Sequence, residues 1–214
     1  MIVLAVRWYL RFGVSYRDVE ELLAERGIEV DHVTIYRWVQ RFTPLLADLA
    51  RPCRHAVGDR WQADQTYVKV AGRWRYVYRA IDQFGQVVDV FVPPRRDVKA
   101  ARRSFEQAIG TTRRTPVEVV TDKAAAYPGL AGGAAARSLA SHRSVCRPPR
   151  RGRPRSPQGE AATGARARAG PQARVVIAGH ALVQNVRRGH HELAVEVPVT
   201  RRLAVAFHKL GLVI

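Results

Sequence analysis

Arg60-Trp61-Gln62-Ala63-Asp64-Gln65-Thr66-Tyr67-Val68-Lys69-Val70 alternates apolar and polar residues, is rich in β-branched and aromatic types, and carries one carboxylate near its middle. A period of two over this length reads as a β-strand. After the turn residues Ala71-Gly72 a second strand follows, Trp74 to Ile81, and Asp82-Gln83-Phe84-Gly85 leads into a third, Gln86 to Val92. Three strands joined by tight turns make a meander, with Asp64 on its first strand. A carboxylate there is a solvated strand residue or a metal ligand, and the strand by itself favours the solvated reading.

The surrounding composition narrows the function. The 214 residues hold 36 Lys and Arg against 18 Asp and Glu, a formal charge of +18. Such a surplus points to a polyanionic partner, most often nucleic acid, because basic side chains displace condensed counterions from phosphates; an anionic membrane surface is the weaker alternative. Cys53 and Cys146 have no metal-ligand spacing and suggest no disulfide framework, which fits a reducing, cytoplasmic setting. The apolar start, Ile2 to Val6, is interrupted at Arg7 and Arg11, and no stretch is long enough to span a membrane. A soluble protein without a membrane partner is expected.

Upstream of the meander the pattern is helical. Residues Ile2 to Phe12 have helical spacing; Ser15-Tyr16-Arg17-Asp18 fits a capping box opening a helix from Tyr16 to Arg26, with Gly27 as its stop. Asp31 then caps a third helix, His32 to Phe42, whose Ile35, Trp38, Val39 and Phe42 face inward and leave His32, Thr34, Arg37 and Arg41 outside. Two short helices about a Gly-containing turn, the second one basic, match helix-turn-helix geometry, with a plain three-helix bundle as the alternative. Overall charge favours DNA binding, with those four residues as the candidate contacts.

Downstream, Asp97 is placed to cap a helix from Val98 to Ile109 that Gly110 ends, and Pro116 to Asp122 reads as a short buried strand closing on a second carboxylate. Three antiparallel strands, a helix and a returning strand is the order of a ribonuclease-H-like fold, in which the first and fourth strands lie side by side. That neighbourhood would bring Asp64 and Asp122 together, and two carboxylates from adjacent strands can hold the Mg²⁺ ions that activate a water or 3′-hydroxyl at a phosphodiester. The fold class expected is therefore α/β: a three-helix helix-turn-helix followed by an integrase-type mixed sheet. The expected divisions are 1–45 for DNA binding, 46–58 as connector, 59–128 for the first part of the catalytic core, 129–172 as a basic segment, and 173–214 as the core's C-terminal helical part.

The strings SYRDVEELLAERGIEVDHVTIYRWVQRF, DQTYVKVAGRWRYVYRAIDQFGQ and VTDKAAAY resemble DDE transposases of bacterial insertion sequences, of the insertion-sequence six branch. The resemblance runs from Val3 to about Tyr127 and resumes at Ala173 with ARVVIAGHALVQNVRRGHHELAVE. It implies that Asp64 and Asp122 are the first two members of a catalytic triad and metal ligands. It also implies that residues 15 to 42 read terminal inverted repeats, and that Mg²⁺, double-stranded DNA and a homo-oligomeric synaptic complex take part in DNA strand transfer near the bacterial nucleoid. Family members usually carry Glu where this chain has Gln65. The triad glutamate should follow some tens of residues after Asp122, but Gly129 to Gln172 holds one acidic residue, Glu160, in surroundings that match nothing in the family.

That segment is built of Ala, Gly, Arg, Pro and Ser, with nine arginines and no lysine. Composition alone reads it as a disordered basic linker. Back-translation reads it as a shifted frame. Arg150-Arg151-Gly152 as CGT-CGA-GGC becomes, one base along, Val-Glu followed by Ala. The same step from His142 to Ala162 can give TDQYADHRVEADHGRLKAR, and from Leu130 to His142 WLEELLPAAWRH, both like the family's missing segment. A frameshift entering near Pro128 and compensated near Gln172 would remove the triad glutamate, whose codon would overlap Arg151. Three functions remain open on the sequence: a DDE transposase whose copy is catalytically defective, a DNA-binding remnant that interferes with an intact transposase, and a basic protein that binds nucleic acid without sequence preference. Past the segment, Val175 to Val186 reads as a helix; His180, His190 and His191 read as surface histidines, and Arg201 to Ile214 as an amphipathic stretch that packs on the domain or on another protomer.

Overall fold

The alternation that defines the first strand also sets the sheet. In the computed structural model, which describes residues 1–70, 73–93, 98–121 and 164–214, β1 (Arg60–Val70) pairs antiparallel with β2 (Arg73–Asp82), and β2 pairs antiparallel with β3 (Val87–Phe91). A helix, α4 (Val98–Thr112), leads to β4 (Glu118–Thr121), which returns parallel to β1. The order β3-β2-β1-β4 is the ribonuclease-H-like arrangement expected from the sequence. Successive side chains point to opposite faces. Trp61, Ala63, Tyr78 and Ala80 are buried beneath Ala101 and Ala108 of α4. The other face carries Val77, Val87 and Val90.

Before the sheet come α1 (Ile2–Phe12), α2 (Tyr16–Ala24) and α3 (His32–Ala50). Local signals place their ends. Ser15 Oγ accepts from the Asp18 N–H at 3.2 Å while Asp18 Oδ2 accepts from the Ser15 N–H at 2.7 Å, the reciprocal capping box read in the sequence. Gly27 supplies a φ of 72° in the turn between α2 and α3, and Asp31 accepts from the Val33 N–H at 3.1 Å. Ala5, Val19, Leu23 and Ile35 form the small core that fixes the three helices on one another.

Three elements run past their expected ends. The third helix does not stop at Phe42: it continues to Ala50 through Pro44, across the expected boundary at 45 and into the expected connector. Pro44 cannot donate to the carbonyl four residues back, but Leu46 and Ala50 extend the apolar face of Val39 and are fully buried, and that burial outweighs the lost bond. Gly110 does not end α4, which runs two residues further to Thr112, where the Thr112 hydroxyl donates to the Ala108 carbonyl at 2.8 Å. After the segment 122–163, α5 spans Gly164–Arg188, so residues 164–172 are helical where a disordered linker was expected. Alanine and arginine are strong helix formers, and extending a helix costs far less than nucleating one.

The helix α5 joins the two halves. Ile177 and Ala181 pack on the Val77–Val87–Val90 face of the sheet. Leu182, Val183 and Val186 enter a cluster with Val6 and Leu10 of α1, Val39 and Leu46 of α3, and Phe207 and Leu210 of α6 (Val199–Gly211). The amphipathic C-terminal stretch therefore packs within the chain. Gly179 makes the close approach: a Cβ there would lie 2.7 Å from Leu10 and Thr43 side-chain carbons. Among the described residues no helix is long and apolar enough to cross a membrane.

Candidate functional site

Asp64 lies on β1 directly opposite Arg79 of β2. Its carboxylate is half-buried, and Oδ2 accepts a hydrogen bond from Arg79 Nη2 at 2.5 Å. The register puts both on the sheet face that also carries Val68 and Val77, the face α5 covers. The parallel ladder between β1 and β4 ends at Ala63 and Thr121, the residues immediately before Asp64 and Asp122. Asp122 itself lies outside the described residues, as does Glu160. Carboxylate oxygen is the donor type a Mg²⁺ ion prefers, so Asp64 fits that ion chemically. Between Asp122 and Glu192 the chain has no acidic residue other than Glu160, and α5 has none.

The candidate DNA-contacting residues divide into two kinds. Arg37 and Arg41 are exposed one turn apart on α3, and Thr34 is half-buried one turn before them. They share a face at i, i+3 and i+7. Val33 is exposed beside them. His32 is already engaged: its Nδ1 lies 3.0 Å from Glu20 Oε2 and 3.1 Å from Asp31 Oδ1, and its N–H donates to Glu20 at 3.2 Å. It ties α2 to the start of α3. Behind this face Tyr9 stacks on Tyr16 at 4.3 Å, and Tyr16 meets Tyr36 edge-on. Burial, more than its aromatic neighbours, pushes the Tyr16 hydroxyl pKa up, so it stays a neutral packing residue.

Several residues that hold the site in place gave no sequence signal. Arg54 follows the 3-10 turn Arg51–Cys53 and reaches the outer edge of the sheet, donating to the Val87 carbonyl at 2.7 Å, the Val88 carbonyl at 3.0 Å and Gln86 Oε1 at 2.6 Å. Asn185 of α5, buried, pairs its amide with both backbone groups of Val87, at 2.8 and 2.9 Å. The exposed ladder of β3 is thus closed by side chains from the two sequence-distant helical segments, which protects an otherwise open strand edge. Buried Asp82 collects the N–H groups of Gly58, Phe84 and Gln86 at about 3 Å. The histidines expected at the surface differ among themselves. His180 Nδ1 meets the Leu10 carbonyl at 2.8 Å, and His191 is buried, its pKa pulled down to about 4 by desolvation, with Arg54, His55 and His190 adding to the effect.

A DDE domain family profile, of the IS240 transposase type, matches residues 58–141, a span that includes β1 to β4 and runs past Pro128. The chain is 40% identical over 124 residues to the transposase for insertion sequence-like element IS431mec of Staphylococcus aureus, covering 58% of this chain and 55% of that one. Over these 124 residues the chain is similar to DDE transposases of insertion sequences. The transposase for insertion sequence element IS257 in transposon Tn4003, also of Staphylococcus aureus, is 39% identical over the same length. The chain spans about half the length of these relatives. Among solved structures, the HTLV-2 integrase catalytic core domain in complex with magnesium is similar at 19% identity and a TM-score of 0.33, covering 42% of this chain and 64% of that one. A simian T-cell lymphotropic virus intasome in complex with PP2A regulatory subunit B56 gamma is similar at 18% identity and a TM-score of 0.36, covering 72% and 49%.

Proposed function

We propose that this chain recognises the terminal inverted repeats of its insertion sequence through α2 and α3 but does not complete DNA strand transfer. Recognition rests on the basic face of α3, where Arg37 and Arg41 stand clear of the protein and Thr34 lies one turn away. His32 contributes by holding the helix pair in register. Terminal and target DNA are the partners, bound by more than one copy of the chain in a synaptic assembly. The charge of +18 favours that partner over any neutral one.

Asp64 and Asp122 would hold Mg²⁺, supported by the parallel pairing of β1 and β4 up to the residue before each. When bound, such ions activate the attacking oxygen and stabilise the leaving oxygen of an in-line displacement at phosphorus. The chain's own part is to present carboxylates from a rigid sheet and to keep α5 packed across one face. One observation carries the defect: Glu160 is the single acidic residue between Asp122 and Glu192, in a stretch whose back-translation can give a family-like segment one base along. Sequencing the gene across codons 125 to 175 tests the frame reading. A wild-type-length family-like open frame there supports it, and a DNA segment unlike the family in every frame contradicts it.

Gel shifts test recognition. Binding to terminal-repeat DNA should exceed binding to scrambled DNA of the same length at moderate salt, and Asp64→Ala should leave it unchanged. Equal loss of both complexes as salt rises would instead identify a nonspecific basic protein.

A further inference from the structure

One oxygen of the Asp64 carboxylate is already engaged by a cationic side chain. Oδ2 already holds Arg79 Nη2 at 2.5 Å, and each side chain keeps only 34% of its exposure. Both residues sit on central strands, paired across an antiparallel ladder whose register runs unbroken from Trp61–Asp82 to Val70–Arg73. Neither can withdraw without a rotamer change. Arg79 Nε is buried without a hydrogen-bond partner, and Asp64 is the one acceptor that the Arg79 side chain has among the described residues. A guanidinium and a metal ion compete for the lone pairs of Oδ2, and a cation on either oxygen is repelled by the guanidinium beside it.

We propose that Arg79 is a positioning residue of the candidate metal centre: it neutralises Asp64 and orients its carboxylate through Oδ2, and it competes with a divalent cation for that oxygen. The inference rests on the reading of Asp64 as a metal ligand. The pairing gives the half-buried carboxylate a counter-charge, which keeps the sheet from carrying an uncompensated charge. It also raises the concentration of cation needed to load the site. Lysine at 79 would keep the counter-charge as a point cation but lose the planar fork; glutamine would remove the competition.

Mn²⁺ binding to the full chain, followed by calorimetry, tests this in four proteins: wild type, Arg79→Gln, Arg79→Lys and Asp64→Asn. Arg79→Gln should bind about three- to tenfold more tightly than wild type, the size expected of removing one charge-assisted contact at a part-exposed site. Arg79→Lys should stay near wild type, and Asp64→Asn should abolish binding. Asp64-dependent binding that is equal or weaker in Arg79→Gln overturns the role of Arg79 and leaves Asp64 a ligand. Binding that survives Asp64→Asn, or no binding in wild type and Arg79→Gln alike, overturns the ligand reading and the proposal with it. Should Arg79→Gln fail to fold, the wild-type Arg79 Nε–H resonance supplies the answer. It should move as Mg²⁺ saturates the chain, and a resonance that stays in place contradicts the proposal.

Discussion

The helical half and the sheet half of the chain are stabilised differently. The helices α2 and α3 are placed by side-chain caps, α1, α2 and α3 each have an apolar face read within a few residues, and α5 and α6 then bury a single shared cluster against α1 and α3. The sheet half depends on partners far away in the chain: β4 must return to β1, and the outer edge of β3 is closed by Arg54 from one side and Asn185 from the other. Local order survives loss of a distant segment, whereas a site assembled from distant strands does not. The basic face of α3 proposed to read DNA therefore lies wholly within the described residues, while the carboxylate on β1 has an arginine for its partner.

Breaking the cluster that joins the halves should have the largest effect. Phe207 is fully buried at the meeting of α1, α3, α5 and α6, and Phe207→Ala should cost about 3–5 kcal/mol in denaturant unfolding. Because α5 packs on both halves, fluorescence of Trp61 in the sheet and of Trp8 and Trp38 in the helices should shift together. Separate transitions would show that the halves fold independently.

A smaller effect comes from the seam where the segment after the 3-10 turn meets the segment after α5. His55 N–H donates to the His190 carbonyl at 3.0 Å, Glu192 N–H donates to the Cys53 carbonyl at 2.7 Å, and Arg54 bridges to His191. His191 is buried and neutral, with a pKa of about 4 against an ordinary 6.5. The folded pKa is depressed, so the unfolded chain takes up the proton first. The contribution of His191 to stability is constant above pH 6.5 and falls as pH drops toward 4, by about 3 kcal/mol at most. His191→Phe should flatten that slope, and an unchanged slope would place the acid sensitivity elsewhere.

Recognition should respond more gently. Arg37→Ala and Arg41→Ala should each weaken terminal-repeat binding by about 1–3 kcal/mol where the side chain reads a base, or lower the salt slope by about 1 where it meets a phosphate. Neither should alter the unfolding midpoint, since both side chains are exposed. Ser15→Ala removes the α2 cap and should cost about 1 kcal/mol, confined to the helical half if the contrast between the halves is right.

What the sequence discloses follows the same divide. Ser15, Gly27 and Asp31 are legible because each acts on backbone within a few residues. Asp64 stands out by alternation and by its place on the first strand, and the strand order follows from element order. The run of α3 through Pro44 is hidden because its reason is burial of Leu46 and Ala50 against α5 and α6. His191 looks like a surface histidine until the seam closes over it. Arg79 reads as one of many arginines, and only the β1–β2 register sets it against Asp64.

The central claim is that the chain reads DNA ends and cannot transfer them. A Mg²⁺-dependent strand-transfer assay on terminal-repeat DNA, at protein concentrations where the gel shift is complete, tests it most directly, with Asp64→Ala as control. The wild-type chain should give bound DNA and no transfer product. Product that appears with wild type and disappears with Asp64→Ala would contradict it.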